Sequence, residues 1–168
     1  EMSAGQRQQI AIARALSVSP KFIVLDEPTS LLDVSAQASI LNMIVGLQKK
    51  LELTYLFISH NLAVVRFLSN RVGVMYCGKL VELADSRKLY VSPRHPYTQA
   101  LLASVPAPDP DLQTQEIILE GDVMSPINPP EGCRFYSRCQ ERMEDCKKNE
   151  PPLKEIEPRH FVSCHLNS

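Results

Sequence analysis

Two adjacent carboxylates, Asp26 and Glu27, close a run of four apolar residues, Phe22-Ile23-Val24-Leu25. An aliphatic strand ending this way suits metal-assisted phosphoryl transfer. The first acid can hold the Mg²⁺ shell and the second can polarise a water, provided a phosphate sits nearby. An isolated Asp-Glu pair is more often two ordinary acids at a strand-to-loop junction. Here Pro28-Thr29-Ser30 and Leu31-Leu32-Asp33 follow directly, and Ile58-Ser59-His60 comes further on. Ser3 and Gly5 stand at a helix start, where free N–H groups and the helix dipole favour a phosphate.

A second group is sulfur-rich. Cys133, Cys139, Cys146 and Cys164 crowd the end of the chain, while Cys77 stands alone and reads as a small buried hydrophobe. Eleven of the 13 prolines lie after position 92, so the second part has few large apolar residues with which to stabilise itself. A cross-link or a metal is expected there. If the chain is cytosolic, disulfides are disfavoured, which leaves thiolate ligation of zinc or of an iron–sulfur cluster. The spacing lacks a tight Cys-x₂₋₄-Cys knuckle and leans toward a cluster. His165 next to Cys164 is an alternative zinc ligand.

The elements that must position these groups are legible in outline. Ser3 caps a helix over about 5–17 whose apolar face takes in Ile10, Ala13 and Leu16. Residues 21–26 and 54–59 read as strands buried on both faces, as in a parallel sheet. Residues 34–51 form the helix between them, with Leu41, Ile44, Val45, Gln48 and Leu51 on one face, and 62–68 a short helix after them. This order is α/β with parallel crossovers, and function in such sheets gathers at the carboxyl ends of the strands. Arg71–Tyr76 and Lys79–Leu83, joined at Cys77-Gly78, read as a hairpin on the sheet's edge. Prolines 106, 108, 110, 126, 129 and 130 preclude a continuous helix and place a boundary near 105–130. The expected domains are therefore 1–104 and a Pro/Cys-rich extension, 105–168.

Charge excludes some functions. Eighteen basic and 19 acidic residues give a net charge of -1. Seven of each alternate between Glu131 and Arg159, which describes a solvated surface and no nucleic-acid patch. No run approaches the roughly 20 apolar residues of a membrane span, and no signal-peptide pattern is present among these residues. The nearest approach to a phosphate-cradling loop, Gly73 to Leu80, has Leu80 where the Mg²⁺-binding hydroxyl belongs and lies within the hairpin, so it is rejected.

Four stretches together resemble the second half of an ABC-type ATPase domain. Glu1-Met2-Ser3-Ala4-Gly5-Gln6-Arg7-Gln8-Gln9 resembles the signature sequence, with Ala4 in place of the usual glycine. Residues 22–30 resemble the Walker B strand, Leu31-Leu32-Asp33 the D-loop, and Ile58-Ser59-His60 the switch histidine. His95-Pro96-Tyr97-Thr98-Gln99-Ala100-Leu101-Leu102, the stretch 125–135, Glu150-Pro151-Pro152-Leu153 and Ser163-Cys164-His165-Leu166 are similar to the C-terminal extension of oligopeptide/dipeptide importer ATPases.

The resemblance implies a partial ABC core with an edge hairpin and a small irregular Cys-rich extension. It implies ATP and Mg²⁺ as cofactors. Ser3, Gly5 and Gln6 would close over nucleotide held by a second ATPase subunit, in a homo- or heterodimer. Asp26 would hold Mg²⁺ through water, Glu27 orient the attacking water, Asp33 couple the two sites, and His60 contact the γ-phosphate. The four cysteines of the extension would hold a four-iron four-sulfur cluster, with Zn²⁺ as the alternative. The implied activity is ATP hydrolysis driving import of peptides or related small solutes. The subunit would sit peripherally on the cytoplasmic membrane face, against permease subunits fed by an extracellular solute-binding protein. The start at Glu1 reads as a cut ahead of the signature helix, leaving the phosphate loop upstream, so the 168 residues alone are expected to be inactive. Two rival readings are a metal-binding interaction module on an ATPase remnant and an ABC ATPase outside transport.

Overall fold

The computed structural model describes residues 1–105 and 131–167, together with 117, 119, 121, 127 and 129. They fall into two units, Glu1–Leu68 and Ser69–Ser168. The expected boundary within 105–130 and most of the stretch 125–130 lie outside the described residues.

In the first unit, Ser3 begins helix α1 (Ala4–Leu16) with a reciprocal cap. Its hydroxyl accepts the Gln6 N–H at 3.2 Å, and the Gln6 side-chain oxygen accepts the Ser3 N–H at 2.9 Å. Strand β1 (Phe22–Asp26) follows, then α2 (Val34–Leu51), β2 (Thr54–Ile58) and the short α3 (Leu62–Leu68). β1 and β2 pair in parallel, Asp26 opposite Ile58, as the α/β reading requires. Asp33 caps α2 by accepting the Ala36 N–H at 2.9 Å.

The faces differ from expectation. α1 turns Ile12, Ala15 and Leu16 toward the core and leaves Ile10 exposed. Residues 10–13 are all apolar, so periodicity did not single out one stripe. α2 buries Ile40 and Ile44, with Met43 and Leu47 packed alongside. Each fully buried aliphatic side chain of this kind contributes about 1.5–3 kcal/mol. Within these 168 residues one face of the strands is covered. Ile23 and Leu25 are buried, while Phe22, Val24, Leu56 and Ile58 stay exposed.

In the second unit, β3 (Arg71–Tyr76) and β4 (Lys79–Asp85) form the expected hairpin. Its turn places Cys77 and Gly78 at φ 44° and 78°, the positive pair that a tight two-residue hairpin demands. Cys77 thus sits half-exposed in the turn, not buried as expected. The Arg134 side chain donates to its carbonyl. The hairpin also does not edge the parallel sheet. It belongs to a separate four-stranded antiparallel sheet of order β3-β4-β6-β5, completed by β5 (Lys154–Glu157) and β6 (His160–Val162). The cysteine-rich stretch therefore contains regular structure where an irregular segment was expected. Helices α4 (Ser86–Val91), α5 (Pro96–Ala103) and α6 (Glu144–Lys148) complete the unit.

Candidate functional site

Asp26 and Glu27 lie at the carboxyl end of β1, and Ser59-His60 at the carboxyl end of β2. Parallel pairing brings these ends side by side, and the Glu27 N–H donates to the Ile58 carbonyl at 2.9 Å. His60 Nδ1 and Glu27 Oε1 share a hydrogen bond at 2.8 Å. The His60 side chain is 78% exposed and that of Glu27 36% exposed. With Nδ1 engaged, Nε2 is the ring atom left to meet a ligand.

Glu27 has the left-handed backbone, φ 46°, which is uncommon for a residue with a Cβ. Pro28 and Thr29 are buried behind it. The Ser30 hydroxyl donates to the Glu27 carbonyl at 3.0 Å, and the Ser30 N–H reaches the same oxygen at 3.3 Å. Nothing in the sequence motif alone distinguished Ser30 from its neighbours; only this turn shows what it touches.

The other predicted nucleotide contacts occupy helix starts. Ser3 and Gln6 hydrogen-bond each other, which orients the Ser3 hydroxyl and leaves its proton free to donate. Ala4 opens α1 with helical backbone, so its methyl meets no positive φ. Gly5 faces Ala36, where an added Cβ would stand 3.7 Å from the Ala36 Cβ, an ordinary contact. Asp33 uses one carboxylate oxygen as the α2 cap.

The second unit gathers the other candidates. Cys133, Cys139, Cys146 and Cys164 all line one cavity, with His95, His165 and Phe135 in its walls. The Cys133 N–H donates to the Cys146 carbonyl at 2.8 Å, tying two of the thiol-bearing segments together. Burial raises the Cys133 thiol to about 11, and neighbouring thiols push in the same direction. Burial likewise raises Cys139 and Cys164. The donor chemistry suits a thiolate-bound metal, yet among the described residues no three His, Cys, Asp or Glu groups are drawn close enough to hold an ion. The expected metal ligands thus share a cavity without forming a coordination shell. His165 Nε2 contacts the Asn149 carbonyl at 3.0 Å.

Sequence reading missed a buried polar cluster beside this cavity. Glu82, in β4, accepts the N–H groups of Arg94 at 2.8 Å and His95 at 2.9 Å, and meets His160 Nε2 at 2.7 Å. His95 caps α5 by accepting the Tyr97 N–H at Nδ1, 3.0 Å away. Burial lowers its pKa from the usual 6.5 to about 4, so the ring is neutral near pH 7. The signal was present in part: a lone acid within Val81-Glu82-Leu83-Ala84 asks for a buried partner, and His95-Pro96 has the order of a cap followed by a first-turn proline.

Residues 1–30 match the family described as ABC transporter, and residues 81–146 the one described as oligopeptide/dipeptide transporter, C-terminal region. The oligopeptide transport ATP-binding protein AppF of Bacillus subtilis is 53% identical over 170 residues, covering 100% of this chain and 52% of AppF. YkfD of the same bacterium is 54% identical over 168 residues, covering 99% of this chain and 51% of YkfD. The chain therefore spans about half the length of these relatives. An ABC transporter solved in an inward-facing conformation superimposes with a TM-score of 0.52 at 30% identity, covering 60% of this chain and 38% of that one. That likeness agrees with an α/β core of ABC type. No helix among the described residues is long and apolar enough to cross a membrane.

Proposed function

Because the chain belongs to the ABC transporter ATP-binding proteins of the oligopeptide/dipeptide type, we propose that it supplies the hydrolytic half of an ATPase that powers import of peptides or related small solutes. The observation that carries this is the Glu27–His60 hydrogen bond at the joined ends of two parallel strands. Glu27 orients and deprotonates the attacking water, while His60, held through Nδ1, offers Nε2 to the γ-phosphate. Asp26 would hold Mg²⁺, which would neutralise charge developing on the phosphate oxygens. Ser3, Gly5 and Gln6 contact nucleotide held by a second ATPase subunit, and Asp33 couples the two sites.

The partners under this reading are that second subunit, a pair of membrane permeases and, through them, an extracellular solute-binding protein. The subunit works on the cytoplasmic membrane face. Cys133, Cys139, Cys146 and Cys164 are the proposed ligands of a structural metal centre, a four-iron four-sulfur cluster before Zn²⁺. Their common cavity supports this assignment, and no step of hydrolysis passes through it. The parts proposed by the family resemblance are 1–104 for the ATPase and 105–168 for the extension, the two sharing the sheet β3-β4-β6-β5.

The test is steady-state ATP hydrolysis by the complete subunit, alone and with its permeases. Glu27→Gln is expected to lower kcat at least 100-fold while ATP still binds. Retained turnover in that variant overturns the assignment. Metal analysis and visible absorption of the same preparation decide between iron–sulfur, zinc and neither.

A further inference from the structure

The left-handed backbone of Glu27 needs a cause. Along β1, Ile23 and Leu25 face the core and Phe22, Val24 and Asp26 face away, so a straight continuation would turn Glu27 toward the core side. The positive φ breaks that alternation and brings the carboxylate to His60 instead. A residue with a Cβ adopts this conformation at a cost and keeps it only where its surroundings over-determine it.

Both peptide groups flanking Glu27 are held. On one side its N–H is bonded to Ile58, two residues before His60. On the other its carbonyl receives both the Ser30 hydroxyl and the Ser30 N–H. The first of these bonds belongs to the strand pair and the N–H bond to the turn backbone. Among the described residues the hydroxyl is the one side-chain contribution to these two peptide groups, and it comes from an exposed residue that packs no core.

We infer that Ser30 is a positioning residue for Glu27: its hydroxyl holds the Glu27 peptide in the left-handed conformation that aims the carboxylate at His60. This rests on the hydrolytic reading of Glu27 given above. Losing the hydroxyl lets the Glu27 peptide rotate toward ordinary backbone, which takes the carboxylate away from His60 without removing any group that binds nucleotide.

The experiment uses the complete subunit with Ser30→Ala, Ser30→Thr, Glu27→Gln and the double variant Ser30→Ala/Glu27→Gln. Ser30→Ala is expected to lower kcat about three- to ten-fold, the loss of one hydrogen bond, with KM for ATP within two-fold of the parent. Ser30→Thr, which keeps the hydroxyl, restores the rate. In the double variant the serine change adds nothing to the loss from Glu27→Gln, because both act through one carboxylate. Parent-like kcat in Ser30→Ala, equal changes in kcat and KM, failure of threonine to rescue, or additivity in the double variant each overturns the inference. Active Glu27→Gln instead sinks the hydrolytic reading itself, so the two failures are distinct.

Discussion

Glu82 and His160, 78 positions apart in the chain, meet at 2.7 Å with both side chains wholly excluded from solvent. Glu82 also receives the N–H groups of Arg94 and His95, so one carboxylate joins β4, β6 and the entry to α5. The cysteine-rich stretch is thereby built into the sheet that begins at the hairpin.

Removing that carboxylate leaves the Arg94 N–H and two buried partners, the His95 N–H and the His160 ring, without their acceptor. Glu82→Ala is expected to destabilise the second unit by about 3–5 kcal/mol, the range for breaking a buried pair from one side. Chemical denaturation of the chain followed by circular dichroism measures this. A cost below 1 kcal/mol would show that the cluster relaxes or hydrates freely.

Acid should weaken the same region through His95. Its folded ring is protonated only near pH 4, whereas in the unfolded chain it is protonated near the ordinary 6.5. Between these values the unfolded state binds the extra proton, so stability falls as pH drops from about 6.5 toward 4. Above 6.5 this group contributes no pH dependence. The slope approaches about 1.4 kcal/mol per pH unit at most. His95→Asn, which can still cap α5, should flatten that slope in denaturation curves taken at successive pH values.

Gly132 is a point where any side chain meets backbone. It has φ 91°, and an added Cβ would stand 2.5 Å from the Cys146 carbonyl oxygen and 2.6 Å from that of Lys147. Gly132→Ala is expected to cost at least about 1–3 kcal/mol. It should also speed the reaction of Cys133 and Cys146 with a thiol reagent, since the Cys133–Cys146 backbone bond adjoins the clash. Unchanged thiol kinetics would count against it.

The 168 residues contain the proposed hydrolytic residues Glu27 and His60 but no loop of the Gly-x-x-x-x-Gly-Lys-Ser/Thr kind. Calorimetric titration of this chain with MgATP is expected to show no micromolar binding. A clear micromolar isotherm would mean that the residues described here bind nucleotide in a way that the family does not suggest.

Local chemistry made much of this readable in one dimension. Ser3 caps its helix because a short oxygen-bearing side chain three residues before a free N–H is a local arrangement. The parallel pairing of β1 with β2 followed from their order around a helix, and the Cys77-Gly78 turn from its residue types. Other features depended on what lies across space. Four successive apolar residues in β1 could not reveal that only Ile23 and Leu25 would be covered, and the apolar run in α1 could not choose Ile12 over Ile10. The family resemblance pointed to Glu27 and His60, but their 2.8 Å contact required the strand ends to be aligned and the Glu27 backbone to turn left-handed. Likewise β6 joins β4, and His160 finds Glu82, through pairing between distant segments that carry no local signal. Sequence by itself determined the motifs, the helix starts and the α/β order, because these depend on residues a few positions apart. Tertiary structure alone decided which faces are buried, how Glu27 is aimed and which strands the cysteine-rich stretch joins, because burial and long-range hydrogen bonds depend on neighbours that the order of residues does not name.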